Sequence, residues 1–146
     1  MSKRVKIQEA FPEAWKAMYG IENSISNLSI PLITKDLVKV RASQINQCAF
    51  CIDLHSASAI KNGETAKRLL LLDAWKETNI FTIEEKAALA IVEDITYIHQ
   101  GGLKNETYEN AQKYYDDAAI AQLIMVSVAI NAWNRIAIST ELPVSR

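Results

Sequence analysis

Cysteine, histidine, glycine and proline are all scarce in this sequence. The 146 residues include two cysteines, two histidines, four glycines and three prolines. So few turn-forming residues fit poorly with an all-β fold, and no segment alternates apolar and polar residues between turn dipeptides. The scarcity therefore argues against strands and predicts an all-α fold.

An excess of charge of one sign is also lacking. The chain carries 16 Lys and Arg against 17 Asp and Glu, a formal net charge of -1. Because binding to a phosphate backbone depends on a basic surface, we expect no nucleic acid partner.

A hydrophobic leader is lacking too. Basic residues occur near the N-terminus, but no apolar run follows them, so we expect no secretory signal and a cytoplasmic protein. One apolar stretch, residues 118 to 138, contains the polar residues Gln122, Asn131, Asn134 and Arg135. Such side chains are costly in lipid, so we predict a helix buried within the protein or between subunits, and no membrane association.

Length and composition predict one domain spanning residues 1 to 146, since 49% hydrophobic residues are enough for a core and no linker is evident. We predict helices near residues 12–28, 34–45, 49–61, 64–78, 82–100, 107–114 and 117–138. Local signals support several of their ends: Pro12, Gly63, the capping box of Thr82 and Glu85, the Gly101–Gly102 pair, and Asp116. In the helix that begins at Thr82, apolar residues recur on one face as far as Ile98.

Both cysteines and one histidine are concentrated in QCAFCIDLH, residues 47 to 55. On a helix, Cys48 and Cys51 are three positions apart and His55 follows four positions later, so the three side chains share one face. Two such sulfurs can form a disulfide, and the helix N-terminus favours a thiolate. An imidazole one turn later can accept the thiol proton.

Spacing alone leaves three interpretations of this segment open. It can be a redox-active dithiol, as is typical of paired cysteines in a reducing compartment. It can be a zinc site with three ligands, although no fourth ligand is evident. It can also be a packed, unreactive part of the core. The helix dipole favours Cys48 as the nucleophile, whereas the one-turn spacing to His55 favours Cys51.

A longer stretch, DLVKVRASQINQCAFCIDLHSASAIKNGET at residues 36 to 65, resembles the alkylhydroperoxidase D-like branch of the carboxymuconolactone decarboxylase family. LLLLDAWKET, FTIEEKAALAIVEDIT and INAWNRIAI extend the similarity to most of residues 30 to 138. The resemblance implies a single-domain helical bundle around a central helical hairpin, assembled as a homo-oligomer of three or six subunits. It also implies thiol-dependent reduction of hydroperoxides with no metal or organic cofactor.

Carried over position by position, the resemblance implies four catalytic residues. Cys51 would attack the peroxide and become a sulfenic acid, and Cys48 would resolve it as a disulfide. An external dithiol of the thioredoxin or lipoyl type would then reduce that disulfide. His55 would relay the thiol proton. The family's usual Glu, twelve residues before the first cysteine, is Asp36 here; it is one methylene shorter, and a bridging water would complete its relay.

Three further residues are candidates for a substrate pocket or a subunit interface: Phe50, Trp133 and Asn134. The polar groups of NAWNR, residues 131 to 135, need partners within an otherwise apolar helix. Two rival functions are also considered. One is cofactor-free decarboxylation of a lactone, although that activity in the family does not rely on a C-x-x-C pair. The other is a zinc-binding or interaction module.

Overall fold

The computed structural model describes residues 4–144, and all regular secondary structure in that range is helical. The α-helices are α1 (Ile7–Ala10), α2 (Pro12–Ser24), α3 (Leu32–Ile45), α4 (Ala49–Lys61), α5 (Ala66–Leu71), α6 (Ile83–Thr96), α7 (Asn105–Ala111) and α8 (Asp117–Ser139), with 3₁₀ helices at Leu72–Glu77 and Ile98–Gln100. The predicted all-α class is confirmed. The predicted domain, residues 1 to 146, also includes residues 1–3 and 145–146, which lie outside the described range.

Helix ends with a strong local signal lie where the sequence predicted them. Pro12 occupies the first turn of α2. At the start of α6, the Thr82 hydroxyl accepts a hydrogen bond from the Glu85 amide at 3.1 Å, and the Glu85 carboxylate accepts one from the Thr82 amide at 2.8 Å. The Asp116 carboxylate caps α8 by accepting from the Ala119 amide at 2.8 Å. Each cap satisfies amides that have no partner within the helix.

The prediction of a single helix over residues 64 to 78 is wrong. The chain forms α5 and then a 3₁₀ helix, within which Ala74 leaves helical geometry at φ -109° and ψ 29°. Leu70 is 82% exposed, whereas Leu72 and Trp75, three positions apart, are buried. The tighter 3₁₀ turn aligns residues three apart, so it directs both side chains into the core.

The predicted end of the next helix is also wrong. Helix α6 ends at Thr96, and a short 3₁₀ turn separates it from Gly101, which has φ 109°. Ile98 is 61% exposed and does not continue the apolar face. The predicted helix was too long because Ile98 is apolar and has helical spacing, although the backbone leaves the α-helix before this residue.

Helices α3 and α4 form the predicted central hairpin. Helix α3 also packs against α6 and α8, and nine of its residues are buried. By length and composition α8 could cross a membrane, with a mean hydropathy of 1.3, but half of that window is buried inside the protein. Because α8 contributes Leu123, Val126 and Ile130 to the core, its apolar character is explained by its place in the bundle.

Candidate active site at the start of helix α4

The turn between α3 and α4 is held by amide side chains from α8. Nδ2 of Asn46 donates hydrogen bonds of 2.9 Å to Oδ1 of Asn131 and to Oδ1 of Asn134. Nδ2 of Asn134 in turn donates to the Ser43 hydroxyl at 3.1 Å. Gln47, the next residue, has a left-handed φ of 55°. This fixed turn sets where the following residue, Cys48, enters α4.

Cys48 and Cys51 are joined as a disulfide, with 5.3 Å between their Cα atoms. Cys48 is the N-cap of α4, and its sulfur accepts a hydrogen bond from the Cys51 amide at 3.3 Å. Both residues are buried, and Phe50, Ala137 and Leu142 pack around them. The sulfur of Cys48 thus lies at the positive end of the helix, where a thiolate is favoured.

His55 lies one turn after Cys51 and is half-buried. Burial and the nearby positive charge of Lys39 lower the pKa of His55 from 6.5 to about 4, against the opposing effect of Glu22. At neutral pH the imidazole is therefore uncharged and can accept a proton.

A cavity of about 410 Å³ opens beside this segment. It is lined by Gln8, Trp15, Tyr19, Glu22, Phe50, Cys51, Leu54, His55, Trp133, Ala137 and Leu142. Of the two cysteines, only Cys51 is part of the lining. Cys51 is therefore the sulfur that faces the space where a small molecule can bind.

An aromatic cluster forms one side of the cavity. Trp133 meets Trp15 edge to face with 5.3 Å between ring centroids, and it meets Tyr19 in the same way at 5.4 Å. Edge-to-face contacts of this kind stabilise packing beyond simple burial. The cavity therefore presents rigid, largely apolar walls to a ligand.

Segments from near both ends of the described chain frame the same cavity. The Arg4 guanidinium donates to the Ser139 carbonyl oxygen at 2.9 Å and pairs with the Glu141 carboxylate at 2.8 Å. Leu142 packs on the cysteines, and its amide donates to the Ala137 carbonyl oxygen at 3.0 Å. These contacts hold residues 140–142 against the end of α8.

Asp36 is buried on the same hairpin, but it accepts a hydrogen bond from Nδ2 of Asn62, at the other end of α4, at 2.8 Å. No hydrogen bond between Asp36 and His55 occurs within residues 4–144. The structure thus brings together Cys48, Cys51 and His55, and it places Asp36 with another partner. The catalytic role of Asp36 stays a prediction.

Of the three candidates for a pocket or an interface, Phe50 and Trp133 line the cavity and Asn134 does not. Asn134 is completely buried, where it joins α3, α8 and the hairpin turn. Its hydrogen bonds are satisfied by other protein groups, so the structure gives it a packing role.

The sequence interpretation overlooked two charged residues at this site. Glu22 of α2 and Lys39 of α3 form an ion pair, and Oε2 of Glu22 also accepts from Nε1 of Trp133 at 3.2 Å. A signal for Glu22 was present: it lies between Met18 and Ile25 on the apolar face of its helix, where a charged side chain needs a partner. Lys39 similarly lies between the buried residues Val38 and Val40.

The zinc interpretation finds no geometric support. Within residues 4–144, no group of three or more His, Cys, Asp or Glu side chains is arranged to hold a metal ion. The reactive and charged groups that the structure brings together here are the two sulfurs, the neutral imidazole and the neighbouring ion pair.

Comparisons with known sequences and solved structures find relatives of this chain. A sequence model of the carboxymuconolactone decarboxylase family matches residues 9–94. The uncharacterized protein YdfG of Bacillus subtilis is 42% identical over 139 residues, which cover 95% of each chain. A solved Agrobacterium tumefaciens protein of unknown function, associated by name with the antioxidant defence protein AhpD, superposes with a TM-score of 0.94 at 31% identity over 99% of each chain.

The fold also serves another reaction. The debrominase Bmp8 has a TM-score of 0.79 at 17% identity, over 92% of this chain and 72% of its own. At that identity the likeness concerns the fold alone.

Proposed function

Because this chain belongs to the carboxymuconolactone decarboxylase family, in its alkylhydroperoxidase D-like branch, we propose that it is a thiol-dependent peroxidase that reduces organic hydroperoxides. The observation that carries the proposal is the Cys48–Cys51 disulfide at the start of α4, with Cys51 and His55 lining one cavity. A disulfide between these two cysteines is the product expected of such a reaction.

The reaction uses two thiols and one hydroperoxide. His55 accepts the Cys51 proton, and the thiolate attacks the terminal peroxide oxygen. The O–O bond breaks, the leaving alkoxide takes the proton to become an alcohol, and Cys51 becomes a sulfenic acid. The Cys48 sulfur then attacks the Cys51 sulfur, the S–S bond forms, and the hydroxyl group leaves with the Cys48 proton as water. An external dithiol restores both thiols by exchange.

Two observations support Cys51 as the peroxidatic cysteine. Cys51 lines the cavity and precedes His55 by one turn, whereas Cys48 does not line the cavity. Cys48 lies at the N-terminus of α4, where the helix dipole favours a thiolate. Cys48 is therefore suited to be the leaving thiolate when the reductant attacks Cys51.

The walls of the cavity support a bulky, apolar hydroperoxide as substrate. The cavity offers apolar surface on Trp15, Phe50, Leu54 and Trp133. Hydrogen peroxide is too small to cover more than a small part of this surface. As reductant we propose a dithiol of the thioredoxin or lipoyl type, and as setting a homo-oligomer of three or six subunits in the cytoplasm. Nucleic acid, membrane and cofactor have no part in the proposed reaction.

The deciding experiment is intact-mass analysis after adding one equivalent of cumene hydroperoxide. Reduced wild type, Cys48→Ser and Cys51→Ser are each treated in the presence of a sulfenic-acid trap. We expect wild type to lose two hydrogens and a trapped adduct to form only in Cys48→Ser. An adduct only in Cys51→Ser would reverse the two roles, and no oxidation in any of the three would end the peroxidase proposal.

Two controls separate the rival functions. Elemental analysis that finds about one zinc per chain would favour the metal-binding module. Conversion of a carboxymuconolactone by the Cys48→Ser/Cys51→Ser double variant would favour decarboxylation, because that reaction does not need the cysteines.

A further inference from the structure

We propose that Glu22 of α2 is the positioning carboxylate of this site, setting the charge around His55 in the role that the sequence pattern assigns to Asp36. The inference rests on the proposed function, because it concerns how the same dithiol is activated. Glu22 lies on α2, outside the α3–α4 hairpin that carries the cysteines, so this helix also contributes to the site.

Glu22 is held in place on two sides. Its Oε1 pairs with Nζ of Lys39, and its Oε2 accepts from Nε1 of Trp133 at 3.2 Å. The side chain of Lys39 is only 8% exposed, whereas that of Glu22 is 32% exposed. Trp133 is itself fixed by the aromatic rings of Trp15 and Tyr19. The carboxylate is therefore held at the cavity wall that also contains His55.

Charge balance explains why His55 needs this carboxylate. The charged groups that face His55 are Lys39 from α3 and Glu22 from α2, and their effects on its pKa are opposite. Helix α8 contributes the uncharged Trp133, and α4 contributes Cys51. When His55 accepts the Cys51 proton, an imidazolium forms close to the Lys39 ammonium. Glu22 offsets that repulsion and stabilises the imidazolium directly.

Asp36 is less well placed for this task. It precedes Lys39 by three positions, and it is hydrogen-bonded to Asn62, the residue that follows the last turn of α4. Because α3 and α4 form a hairpin, moving from Lys39 to Asp36 moves away from Cys51 and towards the far end of α4. The Asp36 carboxylate instead secures that end of the hairpin.

The test measures the pKa of His55 directly and uses no peroxide. The pH titration of the His55 ring is followed by NMR in the oxidised wild type and variants. We expect Glu22→Gln to lower the titration midpoint of His55 by up to about one pH unit, since the imidazolium loses a neighbouring opposite charge. Glu13→Gln, in the exposed first turn of the same helix and outside the cavity, is the matched control and is expected to leave the midpoint unchanged.

A second variant separates charge from folding. Lys39→Met in the Glu22→Gln background removes the unpaired ammonium and is expected to return the midpoint towards the wild-type value. A structural defect at the cavity would not be repaired in this way. A Glu22→Gln midpoint equal to wild type, or a lowered midpoint that Lys39→Met fails to raise, would overturn the inference.

The peroxidase proposal and this inference can fail separately. The titration reports the charge around His55 even if no hydroperoxide oxidises the protein. If wild type is oxidised by cumene hydroperoxide and Asp36→Asn, but not Glu22→Gln, shifts the titration of His55, the peroxidase proposal stands and the carboxylate is Asp36.

Discussion

Asn46 and Asn134 are joined by a hydrogen bond of 2.9 Å from Nδ2 of Asn46 to Oδ1 of Asn134. It connects the turn before Cys48 to the C-terminal third of α8, 88 positions further along the chain. We expect Asn134→Ala to lower the free energy of unfolding by about 2 kcal/mol, because the Asn46 amide and the buried Ser43 hydroxyl each lose one of their hydrogen-bond partners and the buried Asn134 side chain leaves a space behind. Urea denaturation measures this change. Asn79→Ala, in an exposed turn, is the control; equal values for both variants would contradict the packing role.

Leu54 provides a test of substrate preference. It lines the cavity one turn after Cys51 and is 51% exposed. We expect Leu54→Ala to raise the KM for cumene hydroperoxide by about fivefold, since about 1 kcal/mol of apolar contact is lost. The rate with hydrogen peroxide should not change. Ile60→Ala is the matched control on α4, because Ile60 is 45% exposed and lies outside the cavity. Similar changes for both peroxides would show that Leu54 does not select the substrate.

His55 should make the oxidised protein less stable in acid. Its pKa is about 4 in the folded protein and returns to about 6.5 on unfolding. Below pH 6.5 the unfolded chain therefore binds more protons than the folded one, so the free energy of unfolding falls as the pH decreases towards 4. At pH 4 the free energy of unfolding is lower than at neutral pH by about 3 kcal/mol because of His55.

Denaturation of wild type and His55→Gln between pH 4 and pH 8 measures this effect. We expect the stability of His55→Gln to decline less steeply below pH 6.5. His99→Gln serves as the control, because His99 is exposed. Parallel curves for wild type and His55→Gln would show that the folded imidazole keeps an ordinary pKa.

Gln47 offers a stabilising substitution. Its φ of 55° is disfavoured for a residue with a Cβ and costs about 1 kcal/mol relative to glycine. We expect Gln47→Gly to raise the melting temperature measured by calorimetry, whereas Gln47→Ala, which keeps the Cβ, should not. If both variants melt together, the left-handed backbone at this position carries no cost.

The outer face of α8 provides a test of assembly. Met125 and Val128 are three positions apart and are 42% and 43% exposed, on a helix whose other face forms the core. If the proposed homo-oligomer forms through this face, we expect Val128→Lys to give a monomer in light scattering after gel filtration, because a buried, unpaired ammonium is costly at an interface. Leu70→Lys, on the exposed side of α5, should leave the mass unchanged. An unaltered mass for Val128→Lys would show that this face is not a subunit contact.

Sequence patterns predicted the fold well wherever the cause is local. The capping box at Thr82, the Asp116 cap and the C-x-x-C segment each act within a few residues, so their neighbours in the chain reveal them. The break after Leu71 was not predictable in this way, because the choice of which leucines to bury depends on the helices that cover them.

The site itself was predicted only in part, for a similar reason. Cys48, Cys51 and His55 share one helix, so their spacing predicted that they meet. Glu22 is 33 positions before His55 in the sequence, and only the packing of α2 onto the hairpin and α8 brings the two into one cavity. The pattern of apolar and polar residues within one helix cannot predict a contact with a residue on another helix.

The segments that frame the cavity are separate in sequence from the segment that carries the sulfurs. Gln8 and Leu142 come from near opposite ends of the described chain, and Arg4 ties the two regions together through Ser139 and Glu141. Substitutions near the two ends can therefore change which compounds reach Cys51 and leave the hairpin that carries both cysteines unaltered.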